Sequence, residues 1–90
     1  MLRIFQRPVS NSTILLKLEG KLLKPWIEEL QRSIDSCDAR RNAVRLDLSA
    51  LTFADAAGTQ ALAELLREGA TLAACSAYIA ALLHAENHNG

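Results

Sequence analysis

The sequence predicts a small α/β domain, a mixed four-stranded sheet with helices mainly on one face. Two observations carry that expectation. Short apolar segments of alternating pattern recur along the chain, and amphipathic segments of helical period lie between them. Ninety residues, half of them hydrophobic, suffice for one domain with one core. Aromatics are scarce (Phe5, Trp26, Phe53 and Tyr78), so that core is built mostly from Leu, Ile, Val and Ala.

Residues 2–7 alternate weakly and read as an edge strand. Residues 8–12 hold Pro, Ser and Asn, which supply the fixed φ and local side-chain bonds of a turn. Residues 13–19 are a firmer strand with Ile14, Leu16 and Leu18 on one face, so the pair suggests a hairpin. Gly20 is expected to end that strand. A helix begins near Pro25, which suits a position needing no backbone donor. Trp26, Ile27, Leu30, Ile34 and Cys37 form its buried stripe, and Glu28, Gln31, Arg32 and Asp35 its outside. Residues 36–42 return the chain, with Arg40-Arg41 as a solvated turn.

The strand at 43–48 points Val44, Leu46 and Leu48 one way and Arg45 and Asp47 the other. Residues 49–55 read as a turn. A second helix runs to about Glu68 with Ala61, Leu62, Leu65 and Leu66 inward, and Gly69 is a natural C-cap. Residues 70–75 form a further short strand. Ser76 caps a third helix carrying Ile79, Leu82 and Leu83. The domain is expected to span residues 1–85, followed by a polar, frayed tail at 86–90. Strands alternating with helices imply parallel pairs, and the first hairpin adds an antiparallel one.

Charge and composition narrow the function. Ten basic and ten acidic residues give zero formal net charge. Nucleic-acid binding wants a clustered positive surface, so no nucleic-acid partner is expected. No segment is long enough to span a bilayer, the N-terminus has no secretory core, and two cysteines make no disulfide framework. Cytoplasmic residence is the simplest reading.

The tetrapeptide Asp55-Ala56-Ala57-Gly58 follows a strand and opens a helix, where partner proteins or phosphate groups can be read. Asp55 can cap the helix and complement its dipole. Gly58 either lets another backbone approach or lets the first helical turn pack on the sheet. Thr59 reads as a first-turn hydroxyl facing solvent or bonding locally, and Thr52 as a turn residue.

The stretch Leu46-Asp47-Leu48-Ser49, then Leu51, Phe53, Asp55, Gly58 and Leu62, resembles the signature of STAS domains. Leu18-Glu19-Gly20-Lys21-Leu22 is similar to the family's Gly-containing turn before its first helix. The resemblance covers roughly residues 12–84. It implies the same order of strands and helices and no catalysis. The family includes bacterial anti-sigma factor antagonists, which bind a serine kinase of the histidine-kinase-like ATPase type. Their usual loop reads Asp-Ser-Ser/Thr-Gly, and phosphorylation of a hydroxyl there abolishes binding. A phosphate adds nearly two negative charges and bulk at the contact surface.

This chain departs from that pattern. Ala56 and Ala57 occupy both hydroxyl positions, and alanine cannot be phosphorylated. Thr59 stands where the family usually has an apolar residue and is a candidate alternative acceptor. The resemblance therefore leaves two readings. One is an anti-sigma antagonist freed of phospho-control. The other is an accessory subunit of a bacterial ABC-type lipid transporter, which binds the transporter's ATPase. Those relatives carry an Asp-x-Ala-Gly loop, with Thr where this chain has Ala56.

The expected contact surface is the loop at 53–59, with Phe53, Asp55, Ala56, Ala57, Gly58 and Thr59, and the exposed side of the next helix, with Gln60, Glu64 and Arg67. The resemblance places Asp47 beside the loop, so Asp47 and Ser49 are expected to support it. No cofactor, metal or catalytic residue is expected. His84 and His88 are four apart but lack the protease pattern and lie in the terminal segment. Cys75 with His84 has no orienting acid or oxyanion site. A small metal- or thiol-dependent enzyme is thus the weakest alternative. Family members usually continue with another strand and helix, whereas this chain stops near residue 90. An open sheet edge invites dimerisation, so a homodimer is a further expectation.

Overall fold

Seven elements follow one another in the computed structural model: β1 (Leu2–Pro8), β2 (Ile14–Leu22), α1 (Lys24–Ser36), β3 (Val44–Ala54), α2 (Ala56–Arg67), β4 (Thr71–Cys75) and α3 (Ala77–Asn89). The structure describes residues 2–10, 12–36 and 43–89, with side chains through residue 85. Cys37, Arg40-Arg41 and the return beyond Ser36 lie outside the described residues, as does the His88 side chain.

The sheet runs β1-β2-β3-β4. β1 and β2 pair antiparallel from Leu2↔Gly20 to Pro8↔Ile14. Val9 and Ser10 close that hairpin by donating to the Thr13 carbonyl at 2.9 and 3.3 Å. β2–β3 and β3–β4 are parallel, as crossover helices require. The mixed four-stranded sheet is therefore as the sequence predicts.

Period-two alternation decides which face is covered. Leu16, Leu18 and Leu22 of β2 and Val44, Leu46, Leu48, Leu51 and Ala54 of β3 are buried. The helices complete that layer with Leu30 and Ile34 (α1), Leu62, Ala63 and Leu65 (α2), and Ile79 and Leu83 (α3). Each leucine so buried is worth about 1.5–3 kcal/mol relative to exposure, which is what holds the helices on the sheet. The opposite face carries Phe5, Arg7 and Arg45, all exposed.

Several local expectations need correction. Gly20 does not end β2. Its φ of 97° belongs to the left-handed region that glycine tolerates, and the β2–β3 register shifts there while the strand continues to Leu22. Residues 49–54 are strand rather than turn, because the extension of β2 supplies partners for them: Glu19↔Ala50, Gly20↔Leu51, Lys21↔Phe53 and Leu22↔Ala54. Thr52 accordingly sits in β3, and its Oγ1 donates to the Gly20 carbonyl at 2.9 Å. In α2 Ala63 is buried, while Ala61 and Leu66 are half-buried.

The caps follow the sequence closely. Gly69, at φ 115°, ends α2. Its N–H donates to the Leu66 carbonyl at 3.2 Å and that of Ala70 to the Leu65 carbonyl at 3.0 Å, which is the Schellman arrangement. Ser76 caps α3, its Oγ accepting from the Ile79 N–H at 3.2 Å. The α3 backbone stays helical through Asn89, beyond the expected start of the tail.

Candidate functional site

The site forms where β3 ends and α2 begins. Parallel pairing of β2 with β3 brings two strand ends together, with α1 leaving one and α2 the other. Asp55 lies between them in extended conformation, φ −77° and ψ −178°. Its own N–H donates to the Leu22 carbonyl at 3.2 Å. One carboxylate oxygen accepts the Gly58 N–H at 2.7 Å and the other accepts the Lys24 N–H at 2.9 Å. Gly58 is in the first turn of α2 and Lys24 opens α1, so one side chain caps two helices. These bonds favour the ionised form. The Gly58 N–H and then the Lys24 N–H hold the Asp55 carboxyl below its ordinary pKa.

Gly58 is buried, and a Cβ there would sit far inside contact distance of the Leu22 carbonyl oxygen and 3.1 Å from Leu22 Cγ. Glycine is thus required for α2 to start against the end of β2. Of the two roles foreseen for Gly58, packing on the sheet is the one found. Thr59 is also buried, at 6% exposure, and its N–H donates to the Asp55 carbonyl at 2.8 Å. Of the two expectations for the Thr59 hydroxyl, facing solvent or bonding locally, the solvent-facing one is overturned, because this turn of α2 faces the core. Neither Gly58 nor Thr59 presents a side chain at the surface.

What remains exposed is a stripe along α2: Ala56, Gln60, Glu64 and Arg67. The spacing of four, four and three keeps them on one helix face. Ala57 is half-buried beside them. Phe53, 38% exposed, extends the surface across the end of β3. Its ring stacks on Tyr78 of α3, centroids 6.4 Å apart and planes 21° apart. Tyr78, 47% exposed, was not foreseen as part of this surface. Its place follows from β4 lying beside β3, which puts the start of α3 next to the end of β3.

Asp47 and Ser49 lie apart from the loop. The Asp47 carboxylate accepts from Ser49 Oγ at 2.7 Å and from the Ser49 N–H at 3.0 Å. These bonds, with a smaller effect of Lys17, hold its carboxyl below the ordinary range. Asp47 shares the uncovered face with Lys17, its neighbour in register. The bonds that the Asp47 carboxylate makes are thus local to β3.

His84 is exposed on α3, and Cys75 is half-buried with its Sγ donating to the Ser76 carbonyl at 3.3 Å. Among the described residues, no three His, Cys, Asp or Glu groups gather to hold a metal. No helix among them is long and apolar enough to cross a membrane.

The family model for the STAS domain matches residues 5–85. The chain belongs to the STAS domain family. Solved structures agree on the fold. The anti-sigma factor antagonist SpoIIAA in its unphosphorylated form superposes with a TM-score of 0.74 at 17% identity, over 94% of this chain and 81% of that one. A STAS-domain antisigma-factor antagonist from Rhodobacter sphaeroides gives 0.58 at 21% identity, over 82% of this chain and 85% of that one. An uncharacterized DUF3478-family protein with a SpoIIAA-like fold from Shewanella loihica gives 0.57 at 13% identity, over 98% and 79%. No curated protein matches the chain.

Proposed function

We propose that this STAS domain is a non-catalytic docking module that binds a regulatory ATPase partner of the histidine-kinase-like, anti-sigma type. The contact surface is the exposed stripe Ala56, Gln60, Glu64 and Arg67, with the loop residues Phe53 and Ala57 beside it. The observation that supports this most is the double cap at Asp55. It fixes the first turn of α2 against α1 and so presents Ala56 on a rigid support, which lowers the ordering cost of association. Asp55 acts here as a positioning residue.

Docking in this reading is free of phospho-control at the loop. Ala56 is exposed and Ala57 half-buried, and neither carries an acceptor oxygen. Thr59 is buried under the same turn, which argues against it as a substitute acceptor. Ala57 immediately before Gly58 also suits a second reading, the accessory subunit of an ABC-type lipid transporter that docks on the transporter's ATPase. Capture of partners by the tagged protein from its native lysate separates the two. A histidine-kinase-like ATPase supports the first reading and an ABC ATPase the second. Capture of neither class overturns both.

A further inference from the structure

The uncovered face of the sheet forms a second surface, away from Asp55. In-register pairing lays its side chains in rows. One row reads Arg7, Leu15, Arg45, and the next reads Phe5, Lys17, Asp47. Arg3 and Glu19 stand opposite one another beyond them. Phe5, Arg7, Leu15, Lys17, Glu19 and Asp47 line a concave space of about 360 Å³.

The charges in this face do not cancel. Glu19 pairs with Lys17 at 3.5 Å, and Asp47 keeps its negative charge under the two neutral donors of Ser49, in the row beside Lys17 rather than that of the arginines. The guanidinium groups of Arg7 and Arg45 have no ion-pair partner among the described residues. Their row contains no acid, and the half-buried Leu15 lies between them. Phe5 is 47% exposed at the side of the same hollow. An apolar floor flanked by two uncompensated arginines is complementary to an apolar residue flanked by two carboxylates.

We propose that this face binds an extended acidic peptide segment of a partner protein, with carboxylates four residues apart around an apolar centre, since residues i, i+2 and i+4 of an extended chain share one face. The spacing follows from sheet geometry. Arg7 and Arg45 are two strand intervals apart, roughly 10 Å, and carboxylates four extended residues apart, roughly 13 Å, share one face and lie within reach of the two long arginine side chains. The carboxylates reach the two arginines while the apolar residue covers Leu15 and Phe5. Nucleic acid fits less well. A single exposed aromatic makes no stacking track for bases. A second copy of this chain would bring the same uncompensated arginines onto one another's face.

The test is an amide-resolved NMR titration of the full chain with a capped peptide carrying two glutamates four apart around a central leucine. Expected are shifts at Phe5, Arg7, Leu15 and Arg45, and at least tenfold weaker binding in the double variant Arg7→Gln, Arg45→Gln. Both arginines are exposed, so the variant keeps its fold; should it not, loss of wild-type binding at high ionic strength serves instead. The proposal is overturned if no shifts occur on this face, or if a peptide with glutamine for glutamate binds equally. It is overturned too if an oligothymidylate binds the same residues more tightly, or if they shift on protein concentration alone.

Discussion

The Asp55 carboxylate accepts the backbone N–H of Lys24 at 2.9 Å, across thirty-one positions of sequence. Its other oxygen accepts the Gly58 N–H, so the starts of α1 and α2 share one anion. Both helices point their positive dipole ends at it. The cap belongs to tertiary structure as much as to a helix.

Removing it therefore loosens two helices together. Asp55→Asn keeps one acceptor oxygen and loses the charge, whereas Asp55→Ala loses both bonds. Thermal unfolding is expected to rank the wild type above Asp55→Asn and Asp55→Ala lowest, with losses of several degrees. Equal melting temperatures for all three would show that the double cap does not hold the helices.

The same bonds set the acid response. Asp55 and Asp47 both have folded pKa values below their ordinary ones, so the folded chain binds fewer protons in acid than the unfolded chain. Their contributions are fully present above about pH 4 and fade as pH falls through the folded values. Urea unfolding followed from neutral pH downward is expected to show an acid limb there. Asp55→Asn should flatten part of it and Asp47→Asn another part. A limb of wild-type steepness in both variants would exclude these groups as its source.

Gly58 makes a sharper case. Replacing glycine by alanine inside a helix ordinarily gains about 0.5–1 kcal/mol. Here the added Cβ meets the Leu22 backbone carbonyl, which is no flexible side-chain end. Overpacking of this kind costs about 1–3 kcal/mol and outweighs the gain. Gly58→Ala is expected to lower the urea midpoint. A raised midpoint would mean that the end of β2 yields easily.

Ala57→Ser probes the missing switch. The site is half-buried and the change small, so stability should move by about 0.5 kcal/mol or less. With an anti-sigma kinase partner and ATP, the variant is expected to gain one phosphate and lose affinity for that partner, while the wild type gains none at this loop. A variant that stays unmodified beside an active kinase would count against the kinase reading.

These contrasts show which features were legible in the sequence. Alternation at Leu16, Leu18, Val44, Leu46 and Leu48, with helical spacing at Leu30, Ile34, Leu62 and Leu65, carries the core and the order of elements. The caps at Asp55, Gly69 and Ser76 were legible because their side chains or φ act locally. The length of β3 was not, since Ser49 and Thr52 look like turn residues until the β2 extension supplies partners. Burial of Thr59 was equally hidden, because it depends on how the first turn of α2 sits against the core. Lys24 as a recipient of the Asp55 cap, and Tyr78 as neighbour of Phe53, are contacts between distant segments that no local signal encodes.

The central claim is that Ala56 and the exposed stripe of α2 form the docking surface. Ala56→Arg tests it most directly, because the residue is exposed and the change places a long charged chain on that surface without touching the core. Calorimetric titration of the captured ATPase with wild type and variant should show at least a hundredfold loss of affinity at an unchanged melting temperature. Equal affinity in a folded variant would contradict the account and move the docking surface elsewhere on the domain.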